Sequence, residues 1–294
     1  MAHTAEIVVT GLLFPEGPSW CADGTLVTTA VAEGTLYRIW PDEQRKVLLA
    51  SAGGGTNACA PASDGGFVIT QNGGIDFTAV GLYADPPPYV PATPGIQRAS
   101  ADGTVSYVLD VGFNAPNDLV VAADGTLYFT DPGHHPPADP PIGRVFRLAP
   151  NGELTVIASD LHYPNGIALE PDGGIVIVDR SGLHRVLPDG TTEVVVETIG
   201  TSGGDGFCID TEGNFYCATV IEHSVRVFAP DGKEIDLLPI PAPEGGFGLT
   251  TNCCFGGADG CSLFATDSIP GQVVVWEGLP YAGREIYPWP ARSR

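Results

Sequence analysis

Residues 117–131 read NDLVVAADGTLYFTD: an Asn, a short apolar run, an Asp-Gly pair and a second β-rich run. Asp-Gly between two such runs marks a hairpin with a tight turn. The pattern returns five more times, as EGPSWCADG from Glu16, NACAPASDG from Asn57, NGIALEPDG from Asn165, DGFCIDTEG from Asp205 and NCCFGGADG from Asn252. The closing glycines are Gly24, Gly65, Gly125, Gly173, Gly213 and Gly260, and each follows its leading residue by eight positions. Self-similarity at this spacing is the signature of a repeat architecture.

Each pattern is followed by a third run, such as TLYRIW, GRVFRL or SVRVF, then by a second turn (APNG, LPDG, APDG) and a fourth run. Four strands per repeat, with no helical period of useful length, predict an all-β, six-bladed β-propeller of four-stranded blades. Residues 6–17, EIVVTGLLFPEG, align without gaps to residues 155–166, TVIASDLHYPNG, the outer strand and entry of a later repeat. Residues 6 to 10 are therefore expected to be an outer strand that completes the last blade, whose other three strands come from residues 252 to 278. That closure removes free sheet edges, and the whole chain, 1–294, reads as one propeller domain.

With 43% hydrophobic and 16% charged residues, the 294-residue chain can bury a substantial core. Its 39 glycines and 27 prolines fit a turn-rich fold. A net charge of -22 repels phosphate backbones and anionic lipid, which argues against nucleic acid and membrane partners. No signal-like N-terminal segment or long apolar span is visible, and the expected location is cytoplasmic. A closed ring needs no obligatory partner, so a monomer acting on a small molecule is expected. The seven cysteines, odd in number and without framework spacing, read as reduced packing residues. That includes the adjacent pair Cys253 and Cys254.

In a propeller blade the first strand is innermost, so the six leaders, Glu16, Asn57, Asn117, Asn165, Asp205 and Asn252, ring one mouth of the central channel. The Asp-Gly turns lie about 20 Å away at the other mouth. Asn and Asp at strand entries are also ordinary turn formers, but turn chemistry does not explain an oxygen-bearing side chain at one register in all six repeats. Carbonyl and carboxylate oxygens without His or Cys suit one hard divalent cation, with Ca2+ the best match and Zn2+, Mn2+, Mg2+ or Fe2+ as alternatives. Two long connections, residues 72 to 95 and 131 to 143, emerge at the leader mouth and read as pocket walls. They carry Phe77, Tyr83, Tyr89, His134 and His135.

FPEGPSW, PNDLVVAADGTLYFTDP, YPNGIALEPDG, GGDGFCIDTEGNFYCAT and TNCCFGGADG together resemble the SMP-30/gluconolactonase/luciferin-regenerating enzyme family over nearly the whole chain. The resemblance implies one divalent metal at the channel, held by Glu16, Asn165 and Asp205, with Asn117 contacting metal or substrate. It implies a lactone-hydrolysing activity in which Asp205 accepts the proton of the attacking water. Asn57 and Asn252 belong to the ring by register, and substrate contacts fall to Asn117, Asn57, His134 and Tyr89. Ala115 stands where animal-type sugar lactonases carry Arg. Phosphotriester hydrolysis, non-hydrolytic chemistry at the same metal, and a non-catalytic metal-binding propeller are the competing readings.

Overall fold

The computed structural model describes residues 4–241 and 248–290. Six four-stranded antiparallel sheets form a six-bladed β-propeller. Their inner strands are Pro15–Trp20, Thr56–Pro61, Leu119–Val121, Ile167–Leu169, Gly204–Ile209 and Leu249–Gly256, for blades 1 to 6. Glu6–Thr10 pairs antiparallel with Gln272–Trp276, Glu6 opposite Val275, and so completes blade 6 as expected from its likeness to residues 155–166. The described residues include a single α-helix, the one-turn Phe77–Val80.

The second strand of each blade is almost wholly buried because both of its faces pack on neighbouring sheets. Side chains alternate along a strand: Val176 and Val178 pack toward blade 5 with Phe207 and Phe215, while Ile177 between them packs toward blade 3 with Val145. The core is accordingly six clusters, one per seam between blades. Outer strands face water, and Glu234–Pro239 is buried at one position only.

The expected Asp-Gly turns form, with Gly24, Gly65, Gly125, Gly173, Gly213 and Gly260 at φ between 73° and 88°, where a side chain would be strained. The turn mouth is overlaid by the segment after Trp276. Thr211 N–H donates to Ala282 O, Arg284 N–H to Ile209 O, and Trp289 N–H to Pro61 O (2.9, 3.0 and 2.8 Å). This strap crosses from blades 5 and 6 to blade 2 and buries Leu279 and Trp289. No described helix is long and apolar enough to cross a membrane.

Candidate functional site at the leader mouth

Each leader sits at an irregularity in its inner strand. The register between first and second strands shifts between Glu16 and Ser19, Thr56 and Cys59, Gly204 and Phe207, and Thr250 and Asn252. In blade 3, Asn117 N–H donates to Thr130 O and Thr130 N–H donates to Asp118 O, so two residues oppose one; Asn165 and Gly166 share Val178 in the same way. Such bulges re-aim side chains that a regular pleat would send to the blade seams.

The residue after the leader must usually be small. A Cβ on Gly17 would lie 2.4 Å from Ala58 Cα, and one on Gly206 would lie 2.1 Å from Asn252 Cγ. Asp118 is the charged exception, and reading the leaders alone misses it. It is 5% exposed, and both its oxygens accept from Asn252 Nδ2, at 3.0 and 2.9 Å. Blades 3 and 6 are opposite, so this contact bridges the channel.

Glu16, Asp118 and Asp205 form one electrostatic group. Burial raises all three carboxyls above their ordinary range, Asp118 to about 7. The Asp205 and Asp118 charges raise Glu16 further, and Asp118 raises Asp205, while no Lys or Arg forms a salt bridge with any of them among the described residues. The Asn165 amide partly offsets the rise at Asp205, and its own Oδ1 is buried with no hydrogen-bond partner. Two buried acidic groups, a half-buried third and an orphaned carbonyl oxygen, without a counter-charge, are costly as they stand and suit an oxygen-liganded cation. No three described His, Cys, Asp or Glu side chains close on one point as a metal cluster; the donor set here mixes carboxylates with amides.

The six leaders divide into two groups. Glu16, Asn117, Asn165 and Asp205 keep acceptor capacity at the mouth. Asn57 is spent on neighbours, since its Oδ1 accepts from Asn72 Nδ2 (3.1 Å) and its Nδ2 donates to Asn117 Oδ1 (2.9 Å). Asn72 in turn accepts from Gly74 N–H, so a chain of amides runs from the blade 2 loop and fixes which atom of Asn117 faces Asn57. Asn252 is likewise committed, donating to Asp118 and accepting from Cys253 N–H.

The leader backbones are braced in a repeating way. At the end of the second strand, Gln71, Asp131 and Asp179 accept from the N–H two residues before the leader, Gly55, Ala115 and Tyr163, each at 2.7 Å. One position earlier, threonine hydroxyls reach the next blade: Thr29 donates to Asn57 O and Thr130 to Asn165 O, both at 2.7 Å, and Thr70 donates to Asn117 O. The placement of one leader thus depends on its own blade and on the blade before it.

The long connections, residues 72–94 and 132–142, flank this mouth. Phe77 is buried against Phe14 and Tyr83, with ring centroids 5.2 and 5.5 Å apart. Phe14 holds the left-handed φ of 57°, uncommon for a bulky residue, two positions before Glu16. Tyr163, two positions before Asn165, lies close enough for Asp205 and Glu16 to push its phenol up, beyond the effect of burial. His135, not His134, stacks on Tyr163 at 4.0 Å. His134 is exposed, and Tyr89 is 48% exposed with its ring edge near Gly74. A cavity of about 160 Å3 lies on the other side of the Asp118–Asn252 bridge, between it and the strap.

Carboxylates and amides from successive blades thus line one channel mouth of a six-bladed propeller. Residues 14–268 match the SMP-30/gluconolactonase/LRE-like region, and the chain belongs to that family. It is similar to the gluconolactonase of Zymomonas mobilis subsp. mobilis, 26% identical over 90% of this chain and 78% of that protein. Lactonase drp35 of Staphylococcus aureus is 28% identical, over 79% of this chain and 71% of its own length. Among solved structures, a gluconolactonase from Xanthomonas campestris superposes with a TM-score of 0.74 at 26% identity, covering 92% of this chain and 89% of its own. Regucalcin from Agrobacterium tumefaciens, a calcium-binding protein, shares the fold with a TM-score of 0.78 at 23% identity, covering 98% of both chains.

Proposed function

We propose that this protein is a lactonase-type hydrolase that opens small lactones at the leader mouth with the help of one divalent cation. The observation that carries the reading is the electrostatic coupling of buried Glu16 and Asp118 with half-buried Asp205, none of them with a basic partner, beside the orphaned Asn165 Oδ1. Glu16, Asn117, Asn165 and Asp205 would hold the cation, and an all-oxygen set favours Ca2+. The cation would supply Lewis-acid polarisation of a carbonyl.

The chain's own residues have separate tasks. Asp205 would take the proton of the attacking water, with the Asn165 amide favouring its carboxylate form. Asn57 and Asn72 hold the Asn117 amide in one orientation. Asp118, tied to Asn252, closes the channel floor with a carboxyl whose ionised form would help retain a cation. Tyr163 with His135, and Phe14 with Phe77, supply apolar walls; Ala115, buried where animal-type sugar lactonases carry Arg, offers no charged hydrogen bond to a hydroxylated substrate.

The test is hydrolysis of a panel of γ- and δ-lactones, run beside a phosphotriester panel, with and without chelator. Lactone turnover that chelator removes and added Ca2+ restores is the expected result. Chelator-insensitive turnover would overturn the cation's role, and turnover of phosphotriesters alone would overturn the lactone.

A further inference from the structure

The inner strands of blades 5 and 6 bring two thiols into contact beside the channel. Cys208 Sγ lies 3.6 Å from Cys253 Sγ, and the Cys253 thiol donates to Tyr216 O at 3.1 Å. The juxtaposition is not part of the repeat. Cys208 follows its leader by three positions, where other blades carry Ser19, Ala60, Val120, Ala168 and Phe255; Cys253 follows its leader by one, where three blades have Gly.

Both cysteines line the chamber of about 160 Å3 between the Asp118–Asn252 bridge and the strap residues Arg284–Tyr287. Cys208 keeps some surface toward it, whereas Cys253 is 3% exposed. The rest of the wall is largely apolar, with Ile167, Phe207 and Phe255 among its members. A chamber of this size admits a molecule as small as hydrogen peroxide.

We infer that Cys208 and Cys253 form an oxidisable pair that hydrogen peroxide converts into a disulfide across the seam of blades 5 and 6. In the first step Cys208 Sγ, as thiolate, attacks one peroxide oxygen. An S–O bond forms, the O–O bond breaks, and the departing hydroxide takes up the thiol proton as water, leaving Cys208 as sulfenic acid. In the second step Cys253 Sγ attacks Cys208 Sγ. The S–S bond forms, the S–O bond breaks, and hydroxide with the Cys253 proton leaves as a second water. Two thiols lose two electrons and one peroxide is reduced to two waters. Forming a bond of about 2.05 Å from the observed contact takes roughly 1.5 Å of approach. Side-chain rotation must supply it, since Gly206 already packs against Asn252 where the two strands meet. Burial and the neighbouring thiols push Cys208 up, so the pair reacts slowly at neutral pH and faster as pH rises. The inference is independent of the activity proposed above.

The test treats the full-length protein with hydrogen peroxide, then blocks free thiols in denaturant and maps peptides without reduction. Expected are two thiols lost of the seven, a mass 2 Da lower for one linked pair of peptides containing Cys208 and Cys253, and recovery with a thiol reductant. Cys208→Ser and Cys253→Ser should each abolish the link, with Cys208→Ala and Cys253→Ala as replacements if the serine variants do not fold. Sulfinic acid on Cys208 with Cys253 still free, a link to Cys217 or Cys254 instead, or seven intact thiols at a peroxide dose that oxidises an exposed model thiol would each overturn it.

Discussion

The two mouths of the channel are built from opposite ends of the same six inner strands, and they differ in kind. At the leader mouth, strand entries are bulged, acidic and left with unused acceptors. At the turn mouth, the strands run into hairpins braced by local hydrogen bonds, under a strap that buries Leu279 and Trp289. One end carries electrostatic cost and the other carries packing. Substitutions at the two ends should therefore separate activity from stability.

The largest effect belongs to the leader mouth. Asp205→Asn should lower turnover by at least about 100-fold, the range for loss of a positioned base, while the thermal midpoint of the metal-free protein rises because a charge that repels Glu16 is gone. Near-normal turnover with cation retained would exclude Asp205 as the base. At the turn mouth, Trp289→Ala should cost about 3 kcal/mol in urea unfolding yet leave lactone turnover within about twofold. A matched loss of activity would show that the mouths are not separable.

A third substitution sharpens the comparison within the leader mouth. Asp179 holds the Tyr163 N–H and touches no other leader-mouth acid, so Asp179→Asn should weaken cation affinity by roughly 10- to 100-fold, as removal of outer supports does at metal sites. Calorimetric titration measures this, and an unchanged affinity would mean that packing alone sets Asn165.

The smallest effect is on pH dependence. Burial lifts Asp118 from 3.8 to about 7, so the folded metal-free protein binds a proton that the unfolded chain releases. Its contribution to stability is complete below pH 3.8 and is lost as pH rises through about 7. The metal-free midpoint should fall by a few degrees between pH 5 and 8, relative to an Asp118→Asn variant, and saturating Ca2+ should remove that difference. Equal slopes in the two proteins would contradict the burial of this charge.

Much of this was readable in the chain. The repeat of leader and turn glycine prescribes blade number, the strand pairing of Glu6–Thr10 and the mouth at which the leaders meet, because propeller geometry converts a constant spacing into a constant height on the axis. Asp118 was not legible in the same way. Strict alternation sends a residue next to an inward side chain to the opposite face, and only the bulge, two residues against Thr130, turns both inward. A signal did exist, since Asp118 is the one charged residue at a register otherwise held by Gly, Ala or Cys. Nor could residue type distinguish Asn57 and Asn252 from Asn117 and Asn165. Their commitment depends on Asn72 and Asp118, contacts made by folding. His134 and His135 are neighbours in sequence, and the loop's path alone decides that His135 meets Tyr163.

Glu6–Thr10 finds its partner only in Gln272–Trp276, nearly the whole polymer away. During synthesis the first strand therefore waits, unpaired, until the last blade has left the ribosome, and five blades can assemble before the ring has any way to lock. Long-range pairing of this kind is slow, so nascent chains stalled in the final blade would expose two open sheet edges and should be the species that chaperones capture.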